Sequence, residues 1–322
     1  MFKPADMSLW QGRTDSEANA LRWHQVIQPP GNNLNIENAS VLLGFSCDEG
    51  VRRNHGRPGA KNGPTAIRHA LANLAWHHDS FIFDGGDVIC EGEQLASAQQ
   101  QLAQQVTAIL NSNARSLIIG GGHEVAWGNF LGLSNYLQQT SSKSRIGIIN
   151  LDAHFDLRNP HPQPTSGTPF RQIAEQCKSQ QQLFNYMVLG INPLANTTAL
   201  FEFARAHNVA WRYDTDCTHA QLPAITQQLD HFLQQIDELY FTICLDVFAP
   251  HIAPGVSAPS TIGIEPLFAL QLIAIIKQCC IRHNVTWRIS DIAEMNPTYD
   301  IDHRTARLAA RLIDTTVKFN KI

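Results

Sequence analysis

The chain has 322 residues, 43% of them hydrophobic and 16% charged, with a formal net charge of −4. That length supports a sizeable buried core, and that composition excludes an intrinsically disordered chain and a polybasic nucleic-acid-binding surface. The opening stretch MFKPADMSLWQGRTDSEANALRW lacks an apolar signal core, and no later run supplies the roughly 18 to 20 uninterrupted apolar residues of a membrane span. Seven cysteines without paired spacing suit a reducing compartment. The expectation is a cytoplasmic protein without nucleic-acid or membrane partners, and the sequence leaves a homo-oligomer open.

An N-terminal extension of about residues 1–38 precedes the first apolar run. From there to the end, short apolar runs alternate with longer amphipathic or Gln/Ala-rich segments, the pattern of a parallel α/β sheet. The runs predict strands over 41–45, 81–83, 117–119, 146–150, 187–190, 209–213, 240–245 and 286–289. Helices are predicted between them over 64–76, where a proline suits the first turn, and over 95–111, 125–138, 170–182, 221–235 and 266–282. A last helix, 302–317, puts Leu308, Leu312 and Ile313 on one face and packs back on the sheet. With no Pro/Ser/Gly linker and no repeat in sight, one domain over 1–322 is expected, a three-layer α/β/α arrangement around an eight-stranded parallel sheet.

Four of the strands end in residue types that hold metals, at the carboxyl edge where open α/β sheets place their sites. The strand at 117–119 runs into GGGHE (120–124), whose glycines permit a sharp turn that delivers His123. The strand at 146–150 runs into DAHFD (152–156). Alternate residues of an extended chain point the same way, so Asp152, His154 and Asp156 converge. Cys244 and Asp246 share a side in TICLDV (242–247), and SDIAEMNP (290–297) places Glu294 before a turn. Carboxylates and imidazoles with few thiolates favour Mn²⁺ over Zn²⁺. A carboxylate such as Asp152 can bridge two ions, and an ion pair can ionise a shared water near neutral pH, so hydrolysis is the expected reaction. Neither a G-x-G-x-x-G after the first strand nor a G-x-x-x-x-G-K-[ST] is present.

The set GGGHE, DAHFD, SGTPF (166–170), LDV (245–247), SAPS (257–260) and EMNP (294–297) resembles, in order and spacing, the arginase/agmatinase ureohydrolase family over roughly residues 40–300. The segments CDEGVRRNHGRPGAKNGP (47–64), PTSGTPFRQ (164–172) and APGVSAPS (253–260) are similar to its formimidoylglutamase branch. The resemblance implies an arginase-like α/β domain, two Mn²⁺ ions, and hydrolysis of N-formimidoyl-L-glutamate to L-glutamate and formamide in histidine degradation. It also implies that His123 and Asp156 bind one ion, His154 and Asp246 the other, and that Asp152 bridges them. Glu294 matches the acid that faces the cationic head of the substrate. One position departs from the pattern: the family usually has a bridging aspartate where this chain has Cys244, a soft ligand with a single donor atom. Cys244 thus stands as a ligand, as a partner for Cys47 in a disulfide, or as a small packed residue. Position 170 is Phe where arginases tend to have a His proton shuttle, so the proton donor is not identified by the sequence.

A glutamate-derived substrate carries two carboxylates, and the planar fork of Arg binds carboxylates in bidentate fashion. Arg158 and Arg171 therefore become candidate substrate contacts, with Ser166 as a hydroxyl contact and Arg57 of the RRNHGRPG loop as a further one. The alternatives left open are a sister ureohydrolase acting on another guanidino compound or amidine, a non-catalytic paralogue impaired at Cys244, and, more remotely, a phosphate-binding module built on the glycines.

Overall fold

The computed structural model describes residues 1–31, 36–140 and 143–317. Its main elements are β1 (Phe2–Lys3), α1 (Trp23–Val26), β2 (Ser40–Ser46), α2 (Glu49–Arg53), α3 (Gly63–Ala72), β3 (Ile82–Ile89), α4 (Leu95–Asn111), β4 (Arg115–Gly120), α5 (Val125–Gln139) and β5 (Ile146–Leu151). They continue with α6 (Pro169–Ser179), β6 (Asn185–Ile191), α7 (Thr198–Ala206), β7 (Ala210–Tyr213), α8 (Leu222–Leu233), β8 (Glu238–Cys244), α9 (Pro266–His283), β9 (Thr286–Ala293) and α10 (Arg304–Val317).

Eight strands run parallel in the order β3-β2-β4-β9-β8-β5-β6-β7. The expected eight-stranded parallel sheet needs one correction. A ninth strand, β1, joins the β3 edge antiparallel, with Phe2 opposite Val88 and Lys3 opposite Asp87. Two residues are too few to leave a periodic signal.

The strands read as continuous apolar runs because both sheet faces are covered. Leu42, Leu117, Ile119, Ile149 and Leu151 point into one core layer, with Ile67 and Leu71 of α3, Phe268 and Leu272 of α9 and Ile313 of α10. Their neighbours Val41, Leu43, Phe45, Ile118 and Ile148 point into the other, with Leu102 of α4, Phe130 of α5 and Phe170 of α6. That period-two division makes the three layers. The N-terminal stretch is tied to the first layer, because Trp10, Trp23 and Ile27 are buried there with Leu71 and Leu312. Residues 32–35 of this expected extension lie outside the described ones.

Helix ends follow local chemistry. Pro64, Pro169, Pro223 and Pro266 sit in first turns, where the missing N–H costs nothing. The helix predicted over 64–76 stops at Ala72, since the chain then turns to bridge Ala75 to Arg22. Helices α1, α2 and α7 were not foreseen: the first two are four and five residues long, and α7 buries only Ala204 fully. None of the three offers a sustained apolar stripe.

The strand order places the site. After β4 the chain skips two sheet positions to lay down β5, and β8 and β9 return later to fill them. The two halves of the sheet grow outward from this point, so the carboxyl ends of β4, β9, β8 and β5 form a crevice at a topological switch.

Candidate metal centre

The loop after β4 is moulded onto the end of β2. Gly121 N–H donates to the Phe45 carbonyl and Gly122 N–H to the Cys47 carbonyl, both at 2.9 Å. A Cβ on Gly121 would overlap the Cys47 carbonyl, so glycine is a steric requirement there. This close approach carries buried His123 to the crevice.

His123 Nε2 lies 3.0 Å from Thr242 Oγ1, and that hydroxyl donates to Asp291 Oδ1 at 2.6 Å. The hydroxyl proton is thus committed, so Nε2–H is the donor to Thr242 and Nδ1 is the ring nitrogen left to the cluster. Asp291 is held in turn by Asn129 Nδ2 and the Tyr240 hydroxyl. Nδ1 faces two carboxylates, Asp152 Oδ2 and Asp156 Oδ2, each at 2.9 Å. His154 Nδ1 lies 3.5 Å from Asp152 Oδ1 and 3.2 Å from Asp246 Oδ2. Two donor groups emerge, His123–Asp152–Cys244 and Asp152–His154–Asp246, and Asp152 belongs to both. Its orientation is fixed, because Asn150 Nδ2 donates to Oδ2 at 3.0 Å and His154 N–H to Oδ1 at 2.8 Å.

This arrangement fits a pair of metal ions. His123 Nδ1 and Asp246 Oδ1 are buried without a hydrogen-bond partner, although carboxylates and imidazoles surround them. Burial opposes charge on Asp152, yet the adjacent His123 and His154 imidazoles hold its carboxyl well below the usual range. Burial also opposes a cationic His123, but Asp152 and Asp156 outweigh it and push the imidazole well above its ordinary value. Burial, followed by the surrounding carboxylates, pushes Cys244 well up. Protons are thus balancing a cluster of buried negative charge, and divalent cations displace such protons when they bind. Backbone strain accompanies the cluster, since Asp156 and Glu294 adopt φ of 48° and 70°. Such left-handed residues cost about 1 to 3 kcal/mol each and gather at functional sites.

A cavity of about 250 Å³ opens on this cluster, lined in part by His123, His154, Asp156, Cys244, Asp246 and Glu294. Two larger grooves, of about 620 and 580 Å³, open elsewhere and contain none of these residues. Glu294 is clamped beside the donors: His123 N–H donates to Oε1 at 3.0 Å, and the Ser257 hydroxyl donates to Oε2. Burial, then Asp246, raises its carboxyl to about 7. Arg158 and Ser166 line the same cavity, and the Arg158 side chain has no partner among the described residues.

Three expectations are revised. Arg171 does not reach the cavity; it bonds Glu175 at 3.1 Å and stacks on Phe203, because α6 turns that face away from the crevice. Arg57 borders the cavity but spends its donors on the Ser257 and Val256 carbonyls at 3.2 and 2.5 Å and stacks on Tyr299, so it braces the 253–260 loop. Cys47 forms no disulfide with Cys244: its thiol turns to Glu124 Oε1 at 3.4 Å, and contact with Cys90 together with burial pushes it up, protonated. Phe170 instead braces His123, with ring centroids 5.3 Å apart. The sequence reading missed Asn54, His55, Asn196 and Ser257, all of which line the cavity. Ser257 carried a signal as the first residue of SAPS, and Asn54 and His55 lie within CDEGVRRNHGRPGAKNGP, whereas Asn196 stands in no such segment.

With fold and site defined, the class follows: the chain belongs to the arginase family, which matches residues 38–318. It is 46% identical to a formimidoylglutamase of Ralstonia nicotianae over 98% of this chain and 97% of that one. It is 47% identical to a formimidoylglutamase of Aeromonas hydrophila over 98% and 99% respectively. Among solved structures, formimidoylglutamase from Bacillus subtilis matches with a TM-score of 0.81 at 22% identity, covering 95% of this chain and 94% of that one. Trypanosoma cruzi formiminoglutamase with Mn²⁺ matches with 0.75 at 24% identity, covering 89% and 94%.

Proposed function

We propose that this protein is a binuclear manganese hydrolase that converts N-formimidoyl-L-glutamate and water to L-glutamate and formamide, a step of histidine degradation. The observation that carries the reading is an unpaired cationic side chain, Arg158, in the same cavity as two donor groups that share Asp152. Near-full-length relatives named formimidoylglutamase support it, as does the fold shared with a Mn²⁺-containing formiminoglutamase. The seven free thiols support work in a reducing cytoplasm, and no described helix is long and apolar enough to cross a membrane.

His123, Asp152, Asp156 and Cys244 would hold one ion, and Asp152, His154 and Asp246 the other. Bound there, divalent cations supply Lewis acidity that brings water ionisation near neutral pH. The chain's own residues supply orientation. Glu294, fixed by Ser257 and the His123 amide, faces the amidinium head, whose positive charge favours its ionised form. Arg158 and Ser166 hold a carboxylate at the other end, so the formimino carbon is presented to the donor cluster. Water adds to that carbon and the bond to the glutamate nitrogen breaks. The nitrogen leaves as an amine after taking a proton, and the carbon leaves as formamide.

The test is release of formamide and glutamate by metal-stripped protein, with and without Mn²⁺ and a thiol reductant. Manganese-dependent turnover of N-formimidoyl-L-glutamate, with agmatine and arginine inert, is the expected result. Turnover of either guanidino compound instead, or of nothing, would sink the reading.

A further inference from the structure

The cavity wall where the loop after α2 meets the 157–168 loop contains an amide to which the reading above gives no work. Asn54 follows α2, a helix pinned by Glu49, whose carboxylate accepts from Arg52 and Arg53 at 2.7 Å each. Asp48 closes the far side of the loop by accepting from Gly59 N–H at 2.7 Å. The Asn54 backbone is therefore fixed, and its N–H donates to the Gly50 carbonyl at 2.9 Å.

The side chain is oriented as well. Thr165 Oγ1 accepts from Gly167 N–H at 3.2 Å, which directs the hydroxyl proton to Asn54 Oδ1, 3.4 Å away. With Oδ1 engaged as the acceptor, Asn54 offers only the two hydrogens of Nδ2, which have no partner among the described residues. Gly167 lies beside both this amide and Arg158. A Cβ built on it would lie 3.4 Å from Asn54 Nδ2, 3.2 Å from Arg158 Nε and 2.9 Å from Arg158 Cδ. The amide nitrogen and the arginine stem thus converge beside residue 167, whose lack of a side chain lets them approach. Both line the cavity. An amide donor pair beside a free positive charge is chemistry for an anion, and flat twin donors suit a carboxylate.

We propose that Asn54 and Arg158, meeting over Gly167, form the subsite for a carboxylate of the substrate remote from the metal centre, with Asn54 a specificity-determining residue. This rests on the function proposed above only for the identity of the whole substrate; the subsite itself is for the glutamate portion. Asn54 discriminates because a buried or half-buried donor pair left without its carboxylate loses its hydrogen bonds on binding. Gly167 admits the arginine stem.

The test uses the manganese-loaded full chain and two variants, Asn54→Asp, which sets like charge against the carboxylate, and Asn54→Ser, which removes the amide donors. Calorimetric affinity for L-glutamate is read beside steady-state kinetics with N-formimidoyl-L-glutamate and with carboxylate-free N-butylformamidine. In Asn54→Asp, L-glutamate affinity should fall by about 100-fold and in Asn54→Ser by about tenfold, the range for losing a charged or neutral hydrogen bond. With N-formimidoyl-L-glutamate the loss should appear chiefly in KM, and N-butylformamidine hydrolysis should move by less than about twofold. Unchanged L-glutamate affinity in Asn54→Asp, absence of L-glutamate binding to the wild type, or equal losses on both amidines would overturn the subsite. If the wild type fails to hydrolyse N-formimidoyl-L-glutamate yet loses L-glutamate binding in Asn54→Asp, the reaction assignment fails and the subsite stands.

Discussion

Two buried ionic clusters lie at the same sheet, and their difference separates structure from function. Around Arg68 every group is answered. Nε and one terminal nitrogen take both oxygens of Asp84 at 2.8 and 2.9 Å, while the other takes Asp87 at 2.9 Å. Trp10 Nε1 and Gly86 N–H complete the shell of Asp84 at 2.7 and 2.9 Å. Around Asp152 carboxylates crowd together, with His123 Nδ1, Asp246 Oδ1 and Glu124 Oε2 left without hydrogen-bond partners. Glu124 is raised to about 8 by burial and by nearby Glu294. A closed cluster ties α3 to β3; an open one retains affinity for something not made of protein. Buried polar groups are informative through what they lack.

The sharpest way to break this comparison is to open the closed cluster. Arg68→Met should leave Asp84 buried without its counter-charge and cost about 3 to 5 kcal/mol in urea unfolding, with manganese stoichiometry unchanged in the folded fraction. Unchanged stability, or lost metal in a stable protein, would show that the two clusters do not divide the work this way. The complementary change acts on the open cluster. Cys244→Asp exchanges a soft single donor for a hard carboxylate and should tighten manganese binding about tenfold while shifting stability of the metal-free protein little or downward. Equal manganese affinity in equilibrium dialysis would place Cys244 outside the donor set.

The smallest effect concerns an intermediate case. His78 Nε2 bonds Asp314 Oδ1 at 2.7 Å, Trp23 Nε1 bonds the same oxygen at 3.0 Å, and His78 Nδ1 has no hydrogen-bond partner. Burial works to raise the Asp314 carboxyl, but the bonds from His78 and Trp23 outweigh it and lower it. A carboxyl depressed in the folded state adds stability above its unfolded pKa and loses it as pH falls through the folded value. Asp314→Asn should therefore cost about 1 kcal/mol at pH 7, with the deficit closing below about pH 4. Denaturant midpoints across pH check it, and a deficit that grows on acidification would reverse the sign.

The strands, most helices and the donor residues at their ends were legible because each rests on local chemistry. A parallel strand buried on both faces must be apolar throughout, and DAHFD placed three donors at period two within five residues. What escaped depended on distant neighbours. Arg171 looks like a carboxylate ligand in PTSGTPFRQ, yet the rotation of α6 gives it to Glu175 and Phe203. Arg57 looks the same in its loop, yet two carbonyls about two hundred positions away claim it. Asn54 lies within CDEGVRRNHGRPGAKNGP, yet nothing marked its role there, since an amide after a short helix is commonplace until Gly167 and Arg158 lie beside it.

By itself the sequence determined the alternation of strand and helix, the family pattern and the identity of the metal-ligand types, because apolar periodicity and donor spacing are properties of consecutive residues. Tertiary structure alone decided which arginine stays free, where the Cys47 thiol turns and which amide stands beside Arg158. Those outcomes depend on the order β4-β9-β8-β5, which brings together strand ends far apart in the chain, and on how each helix is rotated when its apolar face is buried.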